Sequence, residues 1–353
     1  VVINLRPLEH KSGSILGGLL QMNNYGLDQF GRSQILSSLR IAGITPLSEL
    51  TLTTQQSDGV GYYRTDYEAP LIGLGMHWKL YRSQVQSHAN SVKGWSNESG
   101  AGLIKLLKTD REGRWLAGIE TSQRETQNWT SDIQSSDRYD KQVRLKLRSE
   151  SAKGWVDSFS NEFILTTGNI NLDRNQTDQS TDATTGSGLQ VAGTYKKLEM
   201  NGGISQSLDQ DGIYTGSVRW RAQAASKNLD TYNQIALGGI NGIRAYSSID
   251  GVGDQGVQIS LDITHQVVPD VYGGLFYDVG VVRKAHTPIT SATDTSAYLL
   301  QGVGYQLGGK IADANWSLSV AFAFGKTPGP GVWTSNNTQP GDVRTNFVIT
   351  KPF

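Results

Sequence analysis

Apolar and polar residues trade places at every second position along most of the chain, and helical spacing is never sustained. In Val143-Arg144-Leu145-Lys146-Leu147-Arg148, aliphatic residues alternate with cations, so a strand there presents two faces suited to two solvents. The pattern returns in Val257, Ile259, Leu261 and Ile263 against Gln258, Ser260, Asp262 and Thr264. It returns again in Trp316, Leu318, Val320, Phe322 and Phe324 against Ser317, Ser319, Ala321 and Ala323. A soluble sandwich alternates too, but here the polar face stays polar over about ten residues, the length a tilted membrane strand needs. The period predicts sixteen strands, at 15–24, 32–44, 47–57, 60–69, 74–82, 99–109, 113–124, 138–150, 156–168, 188–199, 212–226, 256–266, 271–282, 296–308, 315–325 and 342–353. The expectation is an all-β fold, a 16-stranded antiparallel transmembrane β-barrel spanning 15–353.

The connections carry a second pattern. Short turns at 69–73, 110–112 and 267–270 trade places with long polar stretches near 83–98, 169–187, 227–255 and 326–341. Long external loops, short periplasmic turns and both termini in the periplasm follow from that asymmetry, with residues 1–14 as a periplasmic linker. The stretch 199–212 is longer than a periplasmic turn should be. The chain opens on Val1 with neither initiator methionine nor apolar leader, as expected where a leader has been removed or a preceding domain lies outside the chain.

Composition removes several functions. Lys plus Arg is 32 and Asp plus Glu is 32, so no basic excess recommends a nucleic-acid partner. The absence of cysteine excludes disulfides, thiolate metal sites and a cysteine nucleophile. No uncharged apolar run reaches the ~18 residues of a membrane helix. The histidines at 10, 77, 88, 265 and 286 have no metal-ligand spacing. His265 and Asp262 face opposite sides of one strand, and no serine sits in a nucleophile elbow. Asp173-Arg174-Asn175-Gln176-Thr177-Asp178-Gln179 lacks the glycine and distal glutamate of an EF-hand. No enzyme, cofactor or metal is therefore expected, short of a hydrolase assembled from several strands. Trp78, Tyr67 and Trp316 are expected as anchors at the edges of the lipid-facing band.

Gly251, Gly253 and Gly256 scan as G-x-G-x-x-G, but they precede an alternating strand instead of opening a helix, so they do not read as a nucleotide loop. The segment holding them is more telling. Residues 238–256, GGINGIRAYSSIDGVGDQG, resemble the sixth external loop of the two-partner secretion (TpsB) transporters of the Omp85 superfamily. The motif V-R-G-Y/F of that loop reads here Ile243-Arg244-Ala245-Tyr246, with Ala245 where glycine is usual. A second motif, F-x-D-x-G, stands as Phe276-Tyr277-Asp278-Val279-Gly280. The resemblance implies that the loop tip enters the pore, where Arg244 contacts the barrel-wall Asp278, with Ile243, Tyr246, Phe276 and Gly280 in support. Strand parity agrees: Leu275, Tyr277, Val279 and Val281 face lipid, so Asp278 faces the lumen and needs a cation. The terminal Phe353 is similar to the assembly signal of outer-membrane barrels.

What the resemblance implies is a monomeric outer-membrane pore that exports an unfolded partner of haemolysin, adhesin or toxin type. Periplasmic POTRA domains, absent from this chain, would recognise that partner, and lipid and the barrel assembly machinery would be the other contacts. Lumen positions Arg144, Lys146, Arg148, Arg219 and Arg221 would offer a polar wall to the passing chain. The alternatives are an Omp85-type assembly factor, then a passive porin or receptor barrel.

Overall fold

A computed structural model describes residues 15–353 apart from 111–112, 152–156, 173, 184–185, 187, 289–296 and 326–337; the expected linker at 1–14 lies outside the described residues. The first half of the chain contributes β1 (Leu16–Asn23), β2 (Gln34–Ala42), β3 (Glu49–Gln56), β4 (Val60–Leu71), β5 (Met76–Ala89), β6 (Val92–Asp110), β7 (Gly113–Thr130), β8 (Ile133–Ser151) and β9 (Ser158–Asn171). After a short helix α1 (Gln176–Asp182) come β10 (Gly193–Ser207) and β11 (Tyr214–Ala225). A small ribbon, β12 (Ile235–Ala236) with β13 (Val252–Gly253), precedes β14 (Gln255–Val268), β15 (Val271–Arg283), β16 (Ala297–Ile311), β17 (Ala314–Phe324) and β18 (Val343–Pro352). All but β12 and β13 form one closed antiparallel barrel in which β11 pairs with β14 and β1 with β18. The expected sixteen-stranded barrel is the one observed.

The closing seam is brief, from Leu19 opposite Pro352 to Asn23 opposite Val348. Reciprocal backbone hydrogen bonds between Gly18 and Phe353, at 2.8 and 3.0 Å, extend it by one step. Outward positions carry the exposed aliphatic belt, including Leu52, Leu103, Ile119, Leu145, Leu165 and Leu261. Tyr67 and Trp78 lie with ring centroids 5.3 Å apart on that outward face.

Three expected boundaries change. The polar stretch 83–98 is a continuation of two strands: β5 and β6 stay in register from Arg82 opposite Ser99 to Ala89 opposite Val92. β7 and β8 likewise run past the aliphatic belt to a two-residue turn, Ser131 and Asp132, both at positive φ. With 19 residues, β6 is about 60 Å of strand at ~3.3 Å per residue, roughly twice a membrane core. Outside the bilayer both faces are wet, so hydrophobic alternation fades while backbone pairing continues; the sequence signal is lost although the strand is not. At 199–212 the excess length is also strand, because β10 runs to Ser207 and leaves 208–213 as the turn. The long connections that remain, 172–192, 226–254, 284–296 and 325–342, all leave the end of the barrel opposite the chain termini.

Candidate functional site

The connection 226–254 folds back into the barrel. Its tip is closed by its own backbone: the amide of Gly239 donates to the carbonyl of Tyr246 at 2.9 Å, and that of Ile243 to Leu237 at 2.7 Å. A compact tip can thus carry its polar backbone into the interior without orphaned groups. Ile243, Ala245, Tyr246 and Leu237 are buried together with Phe276, Val282, Leu300 and Ala321 of the wall.

At the centre is Arg244. Its Nε and one terminal nitrogen grip the carboxylate of Asp278 at 3.0 and 2.9 Å, and its backbone amide donates to the same group at 2.9 Å. The other terminal nitrogen donates to Asp262 at 2.6 Å and to Gln306 at 3.3 Å. The guanidinium carbon lies 3.6 Å from the centroid of the Phe276 ring, so the cation is held from below as well as at its rim. Asp278 is 0% and Arg244 3% exposed, and a buried charge pair persists only when its hydrogen bonds are filled, as here. Arg219 reaches the second oxygen of Asp262 at 3.3 Å, so two carboxylates meet two arginines.

The seat is shaped for this tip. Asp278 lies opposite Gly302, and Phe276 opposite Gly304, on neighbouring strands. A Cβ on Gly302 would stand 2.8 Å from the Cβ of Ala245, so the wall leaves the space that the loop's alanine fills. Gly280 does the same for Ile243 and Leu237, each 3.0 Å from where its Cβ would be. Tyr246 donates to the carbonyl of Phe324 at 3.1 Å, and Asn346 donates to the carbonyl of Arg244 at 3.3 Å. Strand parity could have marked Asp262, since Leu261 and Ile263 face lipid; Gln306 and Asn346 carry no such mark, because many inward polar residues look alike.

A second fastening holds the base of the loop. Arg138 on β8 forms a bidentate pair with Asp178 of α1, at 2.7 and 2.8 Å, and also pairs with Asp230 of the loop. Asn233 bonds Asp140 and Gln142, each at 2.9 Å. The segment considered for calcium thus opens a helix: Asn175 caps it by accepting from the amide of Asp178, at 2.8 Å. Burial pushes the carboxyls of Asp250 and Asp254, both on the loop, above the usual range. Asp254 accepts from the amides of Leu229 and His286 and from Gln234, at 3.1, 2.8 and 2.9 Å, which tie both arms of the loop together.

Most cations of the expected polar inner wall are paired with carboxylates. Arg144 binds Glu98 and Glu120 at 2.8 and 2.7 Å, Lys146 binds Glu120 at 2.8 Å, and Arg148 binds Glu150 at 2.5 Å. Arg124 adds a further bond to Glu98 at 2.8 Å. Arg221 differs, donating to the carbonyl of Ala236 at 3.4 Å. Among the described residues no group of three or more His, Asp or Glu could hold a metal ion.

Fold and site together define a transmembrane β-barrel of the bacterial outer-membrane type whose interior is entered by its own loop. The family model described as haemolysin secretion/activation protein ShlB/FhaC/HecB matches residues 7–307, and the chain belongs to that family. CdiB from Escherichia coli is similar in structure, with a TM-score of 0.76 at 12% identity over 96% of this chain and 63% of that one. CdiB from Acinetobacter baumannii gives 0.71 at 13% identity, over 96% and 60%. BamA from Haemophilus ducreyi, solved without POTRA domains 1–3, gives 0.63 at 10% identity, over 96% and 70%. The chain therefore spans somewhat under two thirds of either CdiB. No curated protein matches its sequence.

Proposed function

We propose that this chain is the outer-membrane pore of a two-partner secretion transporter, which exports an unfolded partner protein of haemolysin, adhesin or toxin type. The observation that carries the reading is the loop tip seated inside the barrel by Arg244 on Asp278 and Asp262. A permanently open solute channel has no use for a segment held in its lumen by a fully satisfied buried ion pair, whereas an export pore must stay shut between substrates. Both termini then face the periplasm, where POTRA domains preceding this chain would receive the partner, and the long connections face outward. The pore is monomeric, and Phe353 at the seam is the mark by which the barrel assembly machinery inserts it. No catalytic step is assigned to it.

Opening requires the tip to leave its seat. Withdrawing one partner of a buried pair costs about 3–5 kcal/mol, so a substrate must supply compensating contacts, and thermal motion alone seldom opens the pore. A passing extended chain would meet the charge-balanced wall of β5 to β8, which binds it too weakly to retain it. The fold shared with BamA favours one alternative, insertion of other barrels through the short seam between β1 and β18. Co-expression of the transporter with its partner separates the two. Partner in the medium with wild-type transporter, and its loss with Arg244→Ala at equal barrel abundance, is the expected result. Normal export by Arg244→Ala would refute the gating role, and no export by the wild type would favour assembly.

A further inference from the structure

The outer surface of one side of the barrel carries a feature that neither the loop nor its seat uses. On β5 to β10 the outward positions of the belt are aliphatic, as at Leu80, Leu103, Ile119, Leu145, Leu165 and Leu198. Toward the end remote from the termini, the next outward positions on β5, β8 and β10 include Arg82, Lys141 and Lys196, all exposed. Pairing aligns them: Arg82, Ser99, Gln123 and Lys141 form one row across four strands. Lys196 lies one step lower, in the row of Thr167 and Val143. Arg82 donates to Asn97 at 3.3 Å and Lys141 lies 5.4 Å from the Tyr139 ring, but none of the three cations pairs with a carboxylate among the described residues. On the opposite side, outward positions near the same end include Met22, Val257, Val281, Phe324 and Val343, with Arg283 at the end of β15 a cation of the same outward parity.

Beyond the cations, the protruding hairpins hold a groove of about 630 Å³ lined by Tyr63, Gln86, His88, Trp95, Trp129 and Asp132. Trp95 lies opposite Gln86 on one side and Gln127 on the other, and Trp129 lies opposite Lys93. Flat aromatic faces beside amides and a carboxylate suit a sugar, whose C–H face stacks on a ring while its hydroxyls find polar partners. Moving away from the bilayer, this wall presents aliphatic side chains, then the cation row, then a row in which Glu125 is neutralised by Arg174 at 2.9 Å, then an aromatic and amide groove.

We infer that this wall binds a phosphorylated glycolipid of the surrounding leaflet. Its acyl chains lie on the aliphatic belt, its phosphates at Arg82, Lys141 and Lys196, and its sugars in the groove of Trp95 and Trp129. The order of chemistries along the wall is the order within such a lipid, and the charges are complementary. The inference rests on the proposed function only for which leaflet meets this end.

The test uses the full-length protein purified in detergent. It is titrated with a phosphorylated glycolipid bearing its sugar core, with the same lipid dephosphorylated, and with phosphatidylglycerol, and bound lipid is read by native mass spectrometry. Wild-type protein is expected to retain the phosphorylated glycolipid over both others. Combining Arg82→Gln, Lys141→Gln and Lys196→Gln should weaken that binding roughly tenfold to a hundredfold, and Trp95→Ala with Trp129→Ala should remove the preference over phosphatidylglycerol. Equal retention of all three lipids by the wild type, or unchanged binding by the triple variant, overturns the inference. The lipid comparison on wild type decides even where a variant fails to fold. Loss of partner export with lipid preference intact would count against the secretion reading and leave this one standing.

Discussion

Two inward-facing charge networks occupy opposite sides of the barrel, and they differ in where their arginines come from. On β6 to β8 the arginines and glutamates all belong to wall strands, Arg144 of β8 reaching Glu120 on neighbouring β7 and Glu98 one strand further, on β6. On β14 and β15 the carboxylates belong to the wall, but Arg244 arrives on a loop. The first network fastens wall to wall, so its loss weakens a sheet already held by its backbone ladder. The second fastens a loop to the wall, so its loss is expected to free the loop tip. Similar chemistry therefore ties strand to strand in one place and loop to wall in the other.

The largest effect expected is from Arg244→Ala. It strands Asp278 and Asp262 without the loop's cation, at a cost of about 3–5 kcal/mol, and should cut export at least roughly tenfold while raising basal conductance in planar bilayers. Asp278→Asn should come next, because that carboxylate takes three of the arginine's hydrogen bonds; Asp262→Asn should cost less, since Asp262 takes one. The reverse ranking of the two aspartates would mean that the tip is held elsewhere.

A packing substitution sharpens the same contrast. Gly302→Val puts a side chain where Ala245 lies, with overpacking worth about 1–3 kcal/mol, and should unseat the tip. Ala245→Gly in the same protein should restore much of the loss, measured as conductance and export. Failure of that rescue would mean that Gly302 acts through the wall alone. Arg144→Gln, on the other side, should lower resistance to unfolding in detergent by about 1–3 kcal/mol and leave export within twofold. A fall in export as steep as that of Arg244→Ala would erase the distinction between the two networks.

The smallest effect concerns pH. Burial raises the carboxyls of Asp250 and Asp254 from the ordinary 3.8, outweighing the hydrogen bonds they accept. A carboxyl whose folded value is raised stabilises the seated loop fully below the ordinary value, and this contribution is lost as pH rises through the raised one. Acidification from neutral toward about pH 4 should therefore reduce spontaneous opening in bilayer recordings, by a few-fold at most. Combining Asp250→Asn with Asp254→Asn should flatten that response.

Much of this architecture was legible in the sequence. Alternation at Val143 to Arg148 and at Val257 to Thr264 placed strands and their lipid-facing sides, because a barrel wall must satisfy two solvents at a period of two. It failed at 83–98, where both faces of the strand are wet and no residue pattern distinguishes a paired strand from a loop. The pairing of Arg244 with Asp278 was what the family resemblance of two motifs implied, and the parity of one strand agreed with it. Asp262 shared that parity argument, yet nothing in its neighbours said that one arginine would reach both carboxylates.

The order of strands, the face each side chain takes and the need of Asp278 for a cation are thus properties of the chain itself, since they depend on nearest neighbours and on the solvent each face meets. The pairing of Arg138 with both Asp178 and Asp230, the space that Gly302 leaves for Ala245 and the neutralisation of Arg144 by Glu98 and Glu120 were decided only in three dimensions. Each depends on register between strands or on the path of a long loop, and a two-residue period sets which face a side chain takes without naming the partner it meets there.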